Sequence, residues 1–448
     1  MNNYHKIPLL MLLVITPKPS QLTDLGNPLI LTPLISQGRI SEAKEASAVT
    51  YPDLVGPNGA ISSYSGYFTV DEPTDSNLFF WLFLSQNNPE NDPVVLWLQG
   101  GPGASSIYAT FTENGPYVLD ENLKISYREY TWIANHSVIF IDNPVGTGFS
   151  FTNEGFVSNE TQVGEHLYDA LIQFFTLFPE LQQNDFFITG ESYGGHYVPA
   201  ISHTIHQKNP SASLKINLKG LAIGNPLTDA KYQADYGAYL YYLGLIDENV
   251  KSTLDDLHGE FLLAVDKENF TASTTLLNKI REVALEASGI PQSYNHQSLL
   301  PEDPYYFEDY LTQPHIRPEI HIGNVSYGTT DSIVAQYLFE DKTKGVSEWL
   351  GELINNYSVL LYNGQLDTLD PYPLMVNLIR NINFDSRNDY LRAKRNIWHV
   401  DDEIAGYWKS VNNFTEVILL NAGHMVPLYQ PKRACDLIYK FVRNITLN

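Results

Sequence analysis

The stretch DFFITGESYGGHYVPAISHTIHQ, residues 185–207, decides the fold of this 448-residue chain. Its apolar start, DFFIT, is typical of a buried strand, and the residues after GESYG can form a helix. Residues 190–194, GESYG, match the Gly-x-Ser-x-Gly pattern of a serine held on a tight strand-to-helix turn. Larger residues in place of these glycines would clash with the strand or the helix. The context predicts Ser192 as a nucleophile, and the alternative is a serine needed only for the turn.

Apolar runs of strand length recur on both sides of this turn. These runs are LFFWLFLS (78–85), VVLWLQ (94–99), HSVIFID (136–142), LKGLAIGNPLTD (218–229), YSVLLYNGQLD (357–367) and EVILLNAGH (416–424). Residues 163–179 have the spacing of a helix with one apolar face, and Pro179 ends it. Buried strands that alternate with a helix predict an α/β fold, with a mostly parallel sheet covered by helices.

The chain changes character between residues 230 and 350, where helical and loop patterns replace the strand runs. We therefore predict a helical insertion, or cap, over residues 230–350. This insertion separates a first part of the α/β core, residues 23–229, from a second part, residues 351–448.

Residues 1–22 have the pattern of a secretory signal peptide. Their apolar run, from Ile7 to Ile15, is shorter than the roughly 20 residues that a membrane span needs, and no later run is long enough. Sequons for N-glycosylation occur at Asn135, Asn159, Asn269, Asn324, Asn356, Asn413 and Asn444. Together these features predict a secreted or lysosomal glycoprotein without a membrane span.

The composition excludes several classes of protein. Hydrophobic residues make up 43% of the chain, which is enough for a large core and excludes a disordered chain. The net charge of −24 argues against a nucleic-acid partner, which would select for basic residues. The single cysteine, Cys435, lies in an amphipathic pattern and is expected in the core, so no intrachain disulfide can form.

A serine nucleophile needs a histidine base and a carboxylate that orients the histidine. In α/β-hydrolases these residues follow in the order Ser, Asp or Glu, then His, each after a strand. Asp367 ends one apolar run and His424 follows another, so both residues fit. Asp370 is an alternative acid, although its position before Pro371 favours a capping role in a loop.

Two further patterns concern a metal site and an oxyanion hole. His203 and His206 have a spacing also found at metal sites, but no cysteine or HExxH pattern accompanies them, so we predict no metal. The glycine-rich loop at 97–106, WLQGGPGASS, can supply one amide of an oxyanion hole, and Tyr193, after the nucleophile, can supply the other. The alternative is a tight connection in which the glycines serve geometry alone.

Five motifs follow one another in a characteristic order. They are WLQGGPG (97–103), DNPVGTGFSF (142–151), GESYG (190–194), YNGQLD (362–367) and NAGHMVP (421–427). In this order they resemble the serine carboxypeptidases, which are α/β-hydrolases. Gln99 in place of the commoner asparagine, together with DNPVGTGFSFT, resembles the vitellogenic-like subgroup. The resemblance extends from about Pro28 to the C-terminus.

The resemblance implies a peptide hydrolase that releases C-terminal amino acids through an acyl-enzyme, without a metal or an organic cofactor. The family's triad corresponds to Ser192, Asp367 and His424. Its oxyanion hole corresponds to the backbone amides of Gly101 and Tyr193. The expected partners are the C-termini of peptides or proteins, which are the substrates. The sequence does not decide whether the chain forms a homodimer.

The family also binds the C-terminal carboxylate of its substrate. The corresponding residues here are Trp97, Gln99, Gly100, Glu113 and Glu191, and Met425 corresponds to the residue that lines the pocket of the leaving amino acid. Two ionised glutamates would repel a carboxylate, whereas protonated glutamates can donate hydrogen bonds to it. Because like charges close together raise each other's pKa values, we expect peptide hydrolysis to be best at acid pH.

The sequence departs from the family pattern in three places. Gln99 moves its amide by one carbon–carbon bond relative to asparagine, Ala104 replaces a common cysteine, and the family's disulfides are absent.

Two other functions stay open at this point. One is another reaction on the same scaffold, by an esterase, an acyltransferase or a lyase. The other is a glycoprotein that binds peptides or proteins without turnover.

Overall fold

The structure is a computed structural model of the chain. It describes residues 25–50, 55–57, 59–298, 306–328 and 333–448. The predicted signal peptide, residues 1–22, lies outside the described residues.

An eleven-stranded sheet forms the centre of the fold. Its strands and those of two small sheets are, in chain order, β1 (Ala48–Val49), β2 (Val55–Gly56), β3 (Gly59–Ala60), β4 (Ser63–Asp71), β5 (Ser76–Phe83), β6 (Val94–Leu98), β7 (Tyr117–Leu119), β8 (Ile125–Tyr127), β9 (Ser137–Ile141), β10 (Phe186–Glu191), β11 (Leu218–Gly224), β12 (Ser358–Gly364), β13 (Asn396–Val400), β14 (Glu403–Val411) and β15 (Phe414–Leu419). The order across the large sheet is β1-β4-β5-β9-β6-β10-β11-β12-β15-β14-β13. From β9 to β15 all pairings are parallel, and the outer pairings are antiparallel. The mostly parallel sheet confirms the predicted fold class.

Helices cover both faces of this sheet. They are α1 (Thr32–Ser36), α2 (Ile40–Ser47), α3 (Tyr108–Thr112), α4 (Glu160–Leu177), α5 (Gly194–Lys208), α6 (Tyr236–Tyr242), α7 (Glu248–Asp266), α8 (Phe270–Ser288), α9 (Tyr306–Leu311), α10 (Ile333–Tyr337), α11 (Ser347–Asn356), α12 (Tyr372–Asn381), α13 (Arg387–Arg392), α14 (Val426–Tyr429) and α15 (Pro431–Phe441). Single 3₁₀ turns lie at Trp132–Ala134, Pro179–Leu181, Ala230–Tyr232 and Asp341–Thr343. Within the described ranges, no helix combines the length and the apolar character that crossing a bilayer requires.

Two hydrophobic cores lie on opposite faces of the sheet because successive residues of a strand point to opposite sides. In β6, Leu96 belongs to one core and Trp97 to the other. Helix α4 closes the first core with residues such as Leu171, and α15 closes the second with residues such as Leu437. All four side chains are almost fully excluded from solvent.

The predicted strands and helices are present, with ends shifted by a few residues. Helix α4 begins at Glu160, three residues before its predicted start, because the side chain of Asn159 accepts a hydrogen bond from the amide of Gln162 at 3.0 Å and caps the helix. Strands β1, β4, β13 and β14 of the large sheet were not predicted. Much of β14 is only partly buried, so it lacks the continuous apolar run of a central strand.

Between β11 and β12 the described residues form helices joined by turns and loops, without a named strand. This insertion is not a detached cap. Phe261 and Leu277, from the pair α7 and α8, lie in the first core, whereas Phe307 and Ile320 lie in the second. The insertion therefore contributes to the cores on both faces of the sheet.

Candidate active site

Ser192 lies on the turn between β10 and α5 with a backbone φ of 58°. This left-handed conformation is unfavourable for a residue that carries a side chain. Its amide donates to the carbonyl of Gly224 at 3.0 Å, and its own carbonyl accepts from the amide of Leu227 at 2.9 Å. A Cβ at Gly190 would lie 2.5 Å from the carbonyl oxygen of Leu98, so glycine is required there. The turn has the geometry that the Gly-x-Ser-x-Gly pattern predicts.

His424 and Asp367, which follow β15 and β12, meet beside this turn. His424 Nδ1 and Asp367 Oδ2 are 2.8 Å apart, and both side chains are buried. Asp367 Oδ2 also accepts from Asn225 Nδ2 at 2.6 Å, and Asp367 Oδ1 accepts from the amide of Leu369 at 2.7 Å. These donors hold the carboxylate in the orientation that bonds the imidazole.

The alternative acid, Asp370, has a different partner. Arg281 Nη2, from α8, donates to Asp370 Oδ1 at 2.6 Å, and Arg281 Nε donates to Tyr236 Oη at 2.9 Å. The structure therefore brings Asp367, and not Asp370, to the imidazole of His424.

The helical insertion holds the loops that carry these two residues. The amide of His424 donates to the carbonyl of Tyr294 at 2.7 Å. The amide of Thr368 donates to the carbonyl of Ser293 at 3.0 Å. Two neighbouring residues of the insertion thus contact both loops, and the relative position of acid and histidine depends on the insertion.

The glycine-rich loop after β6 lies directly against Ser192. A Cβ at Gly100 would lie 2.6 Å from the amide nitrogen of Tyr193 and 2.7 Å from Ser192 Cβ, so a larger residue would not fit. Gly101 has a φ of 108°, which also favours glycine. Neither the amide of Gly101 nor that of Tyr193 donates to an acceptor within the described part of the chain. Both amides can therefore receive a ligand oxygen.

An indole, an amide and two carboxyl groups form a buried cluster beside this loop. Trp97 Nε1 donates to Gln99 Oε1 at 2.8 Å. Gln99 Nε2 donates to Glu113 Oε1 at 3.1 Å and to Glu191 Oε1 at 2.7 Å. The tryptophan therefore fixes which end of the amide faces the glutamates, and the glutamine is long enough to reach both.

Both glutamates hold their protons more tightly than exposed glutamates do. Burial raises the pKa of Glu113 to about 7, and hydrogen bonding opposes this shift. Burial also raises the pKa of Glu191 well above its usual range, with the carboxyl group of Glu113 as a second cause. At pH 5 both groups are therefore predominantly protonated and can act as hydrogen-bond donors.

The predicted site residues converge on one cleft of about 390 Å³. The cleft is lined by Gln99, Gly100, Gly101, Glu191, Ser192, Tyr193, His424 and Met425, among others. Trp97 and Glu113 are buried and contact this lining through Gln99. Met425 accepts a hydrogen bond from Tyr108 Oη at an oxygen–sulfur distance of 3.4 Å. Ser192, His424 and Glu191 thus line the same space, with Glu113 buried behind Gln99.

The model of the family described as serine carboxypeptidase matches residues 52–444. The chain belongs to the serine carboxypeptidase family. The family predicted from the five motifs is confirmed, and the chain is a peptide hydrolase.

Relatives of this carboxypeptidase cover nearly its whole length. It is 43% identical over 433 residues to the venom serine carboxypeptidase of Apis mellifera, with 94% of this chain and 92% of the relative covered. It is 42% identical over 437 residues to the vitellogenic carboxypeptidase of Aedes aegypti, with 94% of this chain and 91% of the relative covered. The predicted resemblance to the vitellogenic-like subgroup is thereby confirmed.

A solved structure supports the fold of the carboxypeptidase. It is the crystal structure of Kex1(Δ)P, a prohormone-processing carboxypeptidase from Saccharomyces cerevisiae, with a TM-score of 0.78 and 24% sequence identity. The match covers 90% of this chain and 97% of that chain.

Two residues that support the carboxypeptidase site were not predicted from the sequence. Asn225 bonds Asp367, and the one signal for it is its position directly after the buried strand β11. Asp142 belongs to the second of the five motifs. Its Oδ1 accepts from Ser105 Oγ at 2.6 Å and its Oδ2 accepts from the amide of Phe149 at 2.8 Å. Asp142 thus joins the glycine-rich loop to the turn after β9.

The remaining predicted positions lie away from the cleft. Nε2 of His203 and of His206 lie 3.2 Å and 3.7 Å from the carboxylate of Glu352. No group of side chains suited to a metal ion occurs within the described ranges. Cys435 is partly buried against the second core, and burial raises the pKa of its thiol to about 12, which disfavours the reactive thiolate.

The side chains of the predicted glycosylation sites are all accessible to some extent. Asn269, Asn324, Asn356, Asn413 and Asn444 are exposed, and Asn135 and Asn159 are partly exposed. The side-chain oxygens of Asn159 and Asn269 cap helices, so the side-chain nitrogens, to which a glycan would attach, take no part in these caps.

Proposed function

We propose that this serine carboxypeptidase works through a triad of Ser192, His424 and Asp367. The hydrogen bond of 2.8 Å between His424 Nδ1 and the buried Asp367 carries the proposal. It favours the tautomer that leaves Nε2 of the imidazole as the base. The strained turn that presents Ser192 to the same cleft supports its role as the nucleophile.

In the proposed reaction, Ser192 Oγ attacks the carbonyl carbon of the last peptide bond while His424 Nε2 takes the hydroxyl proton. The amides of Gly101 and Tyr193 stabilise the oxyanion that forms. The carbon–nitrogen bond then breaks, and His424 gives the proton to the leaving amino acid. Water attacks the acyl-enzyme in the same way, which restores the serine.

We propose that Gln99, Glu113 and Glu191, held by Trp97 and together with the backbone of Gly100, bind the C-terminal carboxylate of the substrate. The raised pKa values of both glutamates support this role, because protonated carboxyl groups donate hydrogen bonds to an anion without repelling it. Activity on free-acid peptides is therefore expected to be best at acid pH.

The leaving residue would occupy the part of the cleft lined by Met425 and Tyr108. Their mutual contact supports one continuous apolar surface there. An apolar surface favours apolar side chains of the leaving residue.

We propose a secreted or lysosomal compartment, with residues 1–22 as a removed signal peptide and N-linked glycans on the accessible asparagines. The name of the Apis mellifera relative, a venom protein, supports secretion. The proposed cap extends over residues 230–350, between the two parts of the core, residues 23–229 and 351–448.

The direct test is the release of free amino acid from an N-blocked dipeptide at pH 5. The wild type and Ser192→Ala are assayed with a free-acid peptide and with a C-terminally amidated copy. We expect the wild type alone to cleave the free-acid peptide, and to prefer it strongly to the amidated peptide.

Equal cleavage of both peptides would refute the carboxylate site but leave the triad standing. Unchanged activity of Ser192→Ala would refute the triad. Absence of cleavage by a folded, glycosylated wild type, also after nicking of the insertion, would refute the proposed hydrolysis.

A further inference from the structure

The active-site cleft has two chemically different walls. On one side, Tyr108 contacts Met425, and its ring packs against Phe307 at 5.5 Å between centroids. Phe307 in turn packs against Tyr327 at 5.9 Å, and Glu308 also lines the cleft. This wall is mainly aromatic and adjoins the proposed place of the leaving residue.

Another part of the lining, here called the cationic wall, carries two cations from the insertion, Arg281 and Lys342. Arg281 is bound to Asp370, so the charges of these two side chains offset each other. Lys342 Nζ donates to the uncharged amide oxygen of Asn278 at 3.3 Å and forms no ion pair with a carboxylate in the described residues. This wall therefore has one unbalanced positive charge, although the chain as a whole carries −24.

Lys342 is held in a defined position. It lies in the 3₁₀ turn Asp341–Thr343, whose last residue bonds α8 through Thr343 Oγ1 and Ser273 Oγ at 2.6 Å. Burial, with the nearby guanidinium of Arg281, lowers the pKa of Lys342 to about 8, and the carboxylate of Asp370, which is bound to Arg281, opposes this shift. The amine therefore stays protonated at pH 5, in surroundings where an incoming anion would be favourable.

The direction of the substrate follows from the proposed function, on which this inference rests. The C-terminal carboxylate lies at Gln99 and the leaving side chain lies at Met425. We place the residue on the other side of the scissile bond against the wall that carries Lys342, because Lys342 and Asp370 line the same cleft as Ser192. Asp370, part of that wall, donates its amide to Asp367 Oδ1 at 3.2 Å, so the wall begins at the triad.

We infer that Lys342 is a specificity-determining residue that selects peptides with an acidic residue, above all glutamate, at the penultimate position. A glutamate side chain there would give Lys342 the carboxylate partner that the protein does not supply. The aromatic wall, with Glu308 as its charged group, offers no such partner to an acidic leaving residue.

The test compares N-blocked Glu-Phe with N-blocked Gln-Phe at pH 5, where the glutamate side chain is mostly ionised. We expect kcat/KM of the wild type to be about tenfold higher for Glu-Phe, the size of one charge-assisted hydrogen bond. N-blocked Phe-Glu and Phe-Gln place the same pair of side chains at the leaving position, where we expect no dependence on Lys342.

The variants are Lys342→Gln, Lys342→Arg and the matched control Lys279→Gln, which removes an exposed lysine of α8 paired with Glu282. The ratio of Glu-Phe to Gln-Phe cancels any general loss of activity. We expect this ratio to fall to about one in Lys342→Gln, to persist in Lys342→Arg, and to be unchanged in Lys279→Gln.

A wild-type ratio near one, or a high ratio that persists in Lys342→Gln, would overturn the inference. A Lys342-dependent preference at the leaving position would also overturn it. Cleavage of Gln-Phe tests the proposed function separately, because that reaction needs the triad and the carboxylate site but no acidic side chain.

Discussion

Glu113→Gln tests the link between the buried acid pair and the pH dependence of the carboxypeptidase. The substitution keeps the shape of the side chain and an oxygen that can accept from Gln99 Nε2, now at 3.1 Å from the glutamate. It replaces a group that titrates with an amide that donates a hydrogen bond at every pH. Burial, the larger cause of the raised pKa of Glu191, is unchanged.

The expected magnitude follows from the raised pKa of Glu113. With a pKa of about 7, Glu113 is almost fully protonated at pH 5 and only about one tenth protonated at pH 8. The substrate carboxylate, with an ordinary pKa of about 3.5, is ionised throughout this range. If one proton on Glu113 is needed for binding, kcat/KM of the wild type falls about tenfold from pH 5 to pH 8. In Glu113→Gln, kcat/KM should decrease much less between pH 5 and pH 8, because the amide does not titrate.

The assay measures kcat/KM from pH 5 to pH 8 for an N-blocked dipeptide with a free carboxylate and for its amidated copy. A pH effect on the shared chemical step changes both rates alike, so the ratio of the two kcat/KM values isolates the carboxylate site. Glu121→Gln, at an exposed position, is the matched control and should keep the wild-type profile.

A flat ratio in the wild type would refute the reasoning, because the acid pair would then have no role in binding the carboxylate. A tenfold fall that persists unchanged in Glu113→Gln would refute the assignment of the titration to this residue.

Three other substitutions test the site and its support. Gly100→Ala puts a Cβ 2.6 Å from the amide of Tyr193, and we expect kcat to fall about a hundredfold or more, measured with a fold check by circular dichroism. Asn225→Ala removes the donor 2.6 Å from Asp367, and we expect about a tenfold loss in kcat/KM with little change in thermal stability; an unaltered rate would contradict the positioning role. Leu277→Ala opens a cavity where the insertion joins the first core, and urea unfolding should show a loss of about 2–5 kcal/mol.

Residues of the active site were predictable where a motif coincides with the end of a buried strand. Ser192, Asp367 and His424 each follow an apolar run, and the carboxyl ends of parallel strands meet at one edge of a sheet. The glycines beside Ser192 were predictable because only glycine fits between closely approaching backbones. The position of Glu113 in the cluster came from the resemblance, since nothing local distinguishes it from a loop residue.

Supporting residues were not predictable because their partners are distant in sequence. Asn225 reaches Asp367 across 142 positions, and Arg281 reaches Asp370 across 89. Strand β14 was missed because its partly exposed surface has no continuous apolar run. Lys342 has the local sequence of an ordinary surface lysine, and only the packing of its turn against α8 brings it to the cleft.

The sequence by itself was enough to predict the parallel sheet, the strand-to-helix turn at Ser192 and the order of the candidate serine, acid and histidine, because each depends on short patterns of apolar and small residues. The sequence favoured Asp367 over Asp370, three residues later, but only the tertiary structure shows that Asp367 is the one that contacts His424. That choice depends on the path of the loop, which is held by Asn225 and by contacts with the helical insertion. The charge of the cleft wall was likewise decided by tertiary packing, because ion pairing depends on distances that local sequence does not encode.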